Sequence, residues 1–253
     1  MALIKTLEEI KKIKKANIII AKLYNMLPQY VKAGITTNEL NEIIDDFIKS
    51  HGARPACIGV PGFKSPFPKA ACISVNDEVI HGIPSDRKLI NGDIVSIDVV
   101  TEKDGFFGDS AITFPVGEID EESKKLLDIT EKSRDIGIKN AIVGNRIGDI
   151  GHAIQSYVEK NGFSVVRDYA GHGVGHEMHE DPIVANFGRA GRGIKIENGM
   201  VLAIEPMVNM GGYKIILLED GWTTVTKDGK KSAHFEHSVA IIDNFPVILS
   251  IDD

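Results

Sequence analysis

Four acidic residues of this 253-residue chain lie in apolar runs that contain no lysine or arginine. Asp98 follows Ile94-Val95-Ser96-Ile97, and Glu205 follows Val201-Leu202-Ala203-Ile204. Asp109 lies within the stretch from Gly105 to Phe114, and Glu236 within that from Ala233 to Ile241. Short apolar runs bounded by turn residues read as buried strands. Taking a carboxylate out of water costs several kcal/mol even after relaxation, so each of these acids needs a partner. A salt bridge is the ordinary answer, but its cation would have to come from elsewhere in the fold. Divalent metal suits four such acids better. Two divalent cations cancel four negative charges, whereas one leaves the site strongly anionic. The expectation is a dinuclear metal site.

The elements that position the acids show a repeated plan. Asn91-Gly92 precedes the run ending at Asp98 just as Asn198-Gly199 precedes the run ending at Glu205. Between Asp98 and Asp109, Lys103-Asp104-Gly105-Phe106 carries an Asp-Gly hairpin signal. With Asp104 and Gly105 as the loop, Val100 faces Asp109 and Ala111 faces Asp98. The two acids then share a face as diagonal neighbours, about 7–8 Å apart at the backbone. A slip of one residue would put them on opposite faces. Upstream, Thr36 to Glu39 fits a capping box that opens a helix running to Ser50-His51-Gly52. Its counterpart runs from Val143-Gly144 to Lys160-Asn161-Gly162. The chain reads as a single domain, 1–253, built of two similar α/β halves, roughly 1–115 and 125–253. Each half runs from helix to strands and turns an acid toward a shared site.

Composition bounds the function. The chain is 43% apolar and 26% charged, as ordinary globular proteins are. A net charge of −7 argues against a nucleic-acid partner, which calls for a basic face. Lys11, Lys12, Lys14 and Lys15 alternate with Ile10, Ile13 and Ile18, the pattern of a solvated helix face. No apolar run approaches the roughly 18 residues of a membrane span. Met1 to Lys5 lead straight into charged residues without a signal-peptide core, so cytoplasm is the expected compartment. Cys57 and Cys72 are expected there as free thiols.

Three of the eight histidines, His172, His176 and His179, fall between Gly171 and Pro182. A zincin helix requires His-Glu-x-x-His, and here His179 comes one residue early, with Glu180 in the required place. Gly171, Gly173 and Gly175 also disfavour a helix. A glycine-rich strand or loop bringing His172 to a ligand fits the spacing. His81 falls at a strand end beside the turn His81-Gly82-Ile83-Pro84. His51, His152, His176, His234 and His237 read as structural or exposed groups.

Taken together, Gly171-His172-Gly173-Val174-Gly175, His179-Glu180, Pro182, His81-Gly82-Ile83-Pro84, Ile204-Glu205-Pro206 and His234-Phe235-Glu236-His237 resemble the methionine aminopeptidase family. The likeness covers almost the whole chain in order and is closest to the short, type I form. It implies the pita-bread fold, an α/β (α+β type) arrangement. Two pseudo-symmetric halves of helices and antiparallel strands there surround a central dinuclear metal site. By the same resemblance the metal ligands are Asp98, Asp109, His172, Glu205 and Glu236, and the catalytic and substrate-contacting histidines are His81 and His179. The implied chemistry is metal-assisted hydrolysis of the amide after an N-terminal methionine. Glu205 would shuttle the water's proton, His179 would stabilise the oxyanion, and His81 would bond the scissile nitrogen. Two divalent cations per chain are implied, and Co, Mn, Fe or Zn all suit this oxygen-rich donor set.

Substrates are then the N-terminal methionines of nascent proteins and peptides whose second residue is small, met by a monomer in transient contact with the ribosome. The Met1-Ala2 start is itself of that kind. The methionine pocket maps to Cys57, Phe67, Cys72, Met178 and Trp222. Met178 stands where the family usually has phenylalanine. The Gly59 to Lys69 loop is longer than usual and offers Phe63 as a competitor to Phe67; spacing to Cys72 favours Phe67. Two rivals remain. A related peptidase that cleaves before proline would carry a further N-terminal domain, and a non-catalytic binding module on the same fold would have lost ligands.

Overall fold

Two helices open with the same side-chain exchange. In the computed structural model, which describes residues 4–252, Thr6 accepts the Glu9 N–H while Glu9 accepts that of Thr6. Thr36 and Glu39 repeat it, as the sequence pattern requires. The Met1-Ala2 start lies outside the described residues.

The first of these helices is α1 (Leu7–Met26) and the second α2 (Thr37–Ser50). Next come β1 (Arg54–Pro55), β2 (Cys72–Val75), β3 (Glu78–Ile80), β4 (Ile94–Lys103) and β5 (Phe106–Pro115). The chain continues with α3 (Glu121–Asn140), α4 (Ile147–Lys160), β6 (Ser164–Val165), β7 (Gly171–Gly173), β8 (Glu180–Val184), β9 (Val201–Ile204) and β10 (Met207–Asn209). It ends with β11 (Ile215–Leu217), β12 (Thr224–Thr226), β13 (Ser232–His234), β14 (His237–Ile242) and β15 (Phe245–Ile248). All strand pairs are antiparallel. One sheet is built on β4, paired with β1, β2 and β5; another runs β15-β14-β9-β7-β8.

The hairpin register is the one the Asp-Gly turn demands. Asp104 and Gly105 both have positive φ, 53° and 78°, and Val100 pairs with Asp109 while Asp98 pairs with Ala111. Helix α2 is flanked by Gly34 and Gly52, α4 by Gly144 and Gly162, all four in the left-handed region. Both helices are 14 residues long.

Apolar packing holds the sheets in place. Leu40, Ile44 and Ile48 of α2 join Ile73, Val95 and Ile97; Leu126, Ile129, Ile150 and Ile154 of α3 and α4 join Leu202, Ile204 and Val239. Each such side chain contributes about 2 kcal/mol on burial. Helix α1 lies so close to β5 that a Cβ on Gly108 would come 2.6 Å from the Asn17 nitrogen.

Two expectations need correction. Glu205 and Glu236 are not inside strands: β9 stops at Ile204, and Glu236 lies between β13 and β14. Pro206 has no N–H to continue the ladder after Glu205. The Glu236 N–H is directed instead to Ala111 O of β5, at 2.8 Å. Cys57 and Cys72 are free and buried. Among the described residues no helix is long and apolar enough to cross a membrane.

Candidate metal centre

Hydroxyl groups rivet β5 to the β13–β14 corner. Ser110 Oγ donates to Glu236 O at 2.8 Å, and Ser238 Oγ donates to Asp109 O at 2.7 Å. With the Glu236 N–H bond to Ala111 O, these links bring the side chains of Asp109 and Glu236 together. His172 arrives on β7, where glycines allow close approach. A Cβ on Gly171 would stand 2.2 Å from Ala203 O, and one on Gly173 2.4 Å from Asp181 O. Any larger residue would push β7 off its neighbours and carry His172 away from the acids.

Asp109, His172 and Glu236 each offer a donor atom within 4.8 Å of the others. His172 Nε2 lies 3.7 Å from Asp109 Oδ2 and 3.5 Å from Glu205 Oε1. Asp98 lines the same cavity, and its Oδ1 is buried without a hydrogen-bond partner, as is Glu236 Oε1. Buried carboxylate oxygens are rarely left so. Orphaned oxygens beside an imidazole fit a divalent cation, and with Glu205 the set is oxygen-rich and hard.

Burial also raises the acids' affinity for protons. It pushes Asp98 up to about 6, with His234 opposing and the Glu205 charge reinforcing. Glu205 is pushed up to about 7 by burial, against the pull of His172. Asp109 and Glu236 go well above the carboxylate range, first through burial and then through the neighbouring negative charges. His81 moves the other way, down to about 4, because burial and then the nearby His234 and His179 disfavour its cation. It is neutral at pH 7.

Above the acids lies a cavity of about 390 Å³, a size suited to one amino-acid side chain with part of its backbone. Cys57, Phe67, Cys72, Met178 and Trp222 all line it, together with His81, His179 and the five acid and imidazole groups. Phe67 is 2% exposed and lines the cavity, whereas Phe63 is 90% exposed. The His179 ring meets the His172 ring edge-on at 4.4 Å. His81, at φ 58°, packs edge-on against Tyr169 and Trp222.

Other histidines are structural: His176 bonds Glu9, His237 bonds Ser250, and His51 meets Phe47 O. His234 is not so simply placed. It is 1% exposed, and its Nε2 lies 3.4 Å from Glu205 Oε2. Tyr169, Val60 and Pro61 are further cavity residues that the sequence reading missed. For His234 one signal was available: two residues before Glu236, it shares that acid's side of an extended chain.

A buried ion pair anchors the turn that carries Met178 and His179. Lys5 Nζ bonds Glu180 Oε2 at 2.5 Å, with the two side chains 2% and 1% exposed. The other Glu180 oxygen accepts the N–H groups of His176 and Glu177, at 2.7 and 3.1 Å. Removing one member leaves a buried charge uncompensated. Lys5→Met is expected to cost about 3 kcal/mol and to lower the melting temperature by roughly 10 °C. A thermal melt indistinguishable from wild type would show that the pair does not hold the turn.

Known proteins place this geometry in context. The sequence profile of metallopeptidase family M24 fits residues 11–243. A methionine aminopeptidase of Clostridium perfringens is 54% identical over 251 residues, 99% of each chain. The crystal structure of methionine aminopeptidase from Rickettsia prowazekii superposes with a TM-score of 0.96 at 41% identity, over 99% of this chain and 100% of that one. Prolidase from Pyrococcus furiosus gives 0.77 at 22% identity, over 100% of this chain and 66% of that one, a likeness of fold alone.

Proposed function

The chain belongs to metallopeptidase family M24, and from that premise we propose that it is a methionine aminopeptidase of the short, type I form. Its substrates are new polypeptides and peptides that begin with methionine followed by a small residue. The fold is the pita-bread fold, and divalent metal is the cofactor. We assign two cations per chain, drawn from Co, Mn, Fe or Zn, to Asp98, Asp109, His172, Glu205 and Glu236. The chain serves as a single catalytic domain, with related halves at 1–115 and 125–253 facing that centre. It works in the cytoplasm as a monomer, meeting nascent chains at the ribosome.

Bound metal supplies Lewis acidity and a nucleophile available at neutral pH. The residues do the rest. Glu205 accepts the attacking water's proton and returns it to the leaving amine. His179 donates to the oxyanion as it forms. His81, kept neutral by burial, accepts the scissile N–H. The methionine side chain enters between Cys57, Phe67, Cys72, Met178 and Trp222, where sulfur and aromatic surface suit a thioether.

One observation carries this reading: four acids, Asp109 and Glu236 buried and Asp98 and Glu205 half-buried, and one imidazole line a single cavity together with two more imidazoles. A proline-directed peptidase has weaker support, since that likeness extends to the fold only. Metal-stripped protein given Mn, Co, Fe or Zn up to two equivalents is expected to release methionine from Met-Ala-Ser but not from Met-Lys-Ser. No release with any metal would sink the proposal.

A further inference from the structure

Both carboxylate oxygens of Glu205 face an imidazole. Oε1 lies 3.5 Å from His172 Nε2, and Oε2 lies 3.4 Å from His234 Nε2. The first approach is the spacing that two ligands of one cation would adopt, since ligand atoms bonded at roughly 2.1 Å stand about 3–3.5 Å apart. The second needs its own account.

His234 cannot draw back from Glu205. Its N–H donates to Thr113 Oγ1 at 2.9 Å, and that same hydroxyl donates to its carbonyl at 2.8 Å. The ring is 1% exposed, and Nε2 has no hydrogen-bond partner. A buried polar atom left unpaired costs about 1–3 kcal/mol. Glu205 Oε2 is an acceptor only a few tenths of an ångström beyond good hydrogen-bond reach.

We propose that His234 is a positioning residue for Glu205. Its Nε2–H donates to Oε2, which would leave Oε1, on the His172 side, for the cation. A carboxylate oxygen accepts two hydrogen bonds, so Oε2 keeps a lone pair for the proton of the attacking water. The assignment rests on the metal reading of Glu205 and requires no change of protonation in either residue.

Two variants separate the donor from the bulk. His234→Gln retains an N–H at similar reach, while His234→Leu fills similar space without one. Metal-stripped proteins are titrated with Mn or Co by calorimetry, and kcat and KM are measured on Met-Ala-Ser. His234→Leu is expected to bind metal 10–100-fold more weakly and to lose kcat with little change in KM. His234→Gln is expected to recover most of both. Metal-free melts of both variants are run beside wild type, so that a folding defect is read apart from the loss of metal binding. Wild-type affinity in His234→Leu, or a His234→Gln variant as impaired as His234→Leu, overturns the proposal. Wild-type protein that binds no metal overturns the parent reading instead.

Discussion

Glu236→Gln is expected to release methionine about a thousand-fold more slowly than wild type, yet to melt at a higher temperature when both are metal-free. The first half follows from the ligand role proposed for Glu236, which Asp109 and His172 cannot fill alone. Metal charge stabilisation is worth several kcal/mol in the transition state, which converts to about three decades of rate. The second half follows from electrostatics. Glu236 lies among Asp98, Asp109 and Glu205, and burial with those charges drives its proton affinity well up. A neutral amide spares the folded protein the uptake of a proton at this position, and it can donate to Asp109. Single-turnover assays and calorimetric melts in chelator read the two effects separately. A variant that is both inactive and less stable would mean that Glu236 is a structural ion-pair member.

The pH dependence of metal-free stability tests the same cluster without mutation. An acid whose folded pKa is raised contributes most below its unfolded pKa, and loses that contribution as pH rises through the folded value. Glu205 is raised to about 7, and Asp109 and Glu236 well beyond their usual range, so the loss continues above neutrality. The histidines act oppositely. His81 is lowered to about 4 and His237 to about 3, with His172, His179 and His234 also lowered. They cost stability only as pH falls below their unfolded value near 6.5. Metal-free protein is therefore expected to be most stable near pH 6, and to lose about 1.4 kcal/mol per pH unit for each acid still titrating above it. Metal displaces those protons, so the loaded protein should hold its stability to pH 8 and beyond. Melts from pH 5 to 8.5, with chelator and with Mn, decide it. A metal-free curve that keeps rising above pH 7 would rule out the buried cluster.

Local chemistry made part of this site legible. The Asp-Gly turn set the register of β4 and β5, and register put Asp98 and Asp109 on one face. Capping boxes and glycine stops bounded α2 within a residue. The ends of β9 and β13 were not legible. They depend on Pro206 breaking one ladder and on Glu236 turning its N–H across to Ala111. The setting of His234 depends on Thr113, 121 residues away in the chain. The Lys5–Glu180 pair spans 175 residues, and no periodicity connects its members.

That span has a consequence in time. Lys5 emerges from the ribosome early, but its partner Glu180 follows only 175 residues later. At about 5–20 residues per second, the wait is roughly ten to thirty-five seconds. Until it ends, the turn bearing Met178 and His179 has no anchor, and Glu236 has yet to be made. An enzyme that trims newborn chains cannot work while it is one itself.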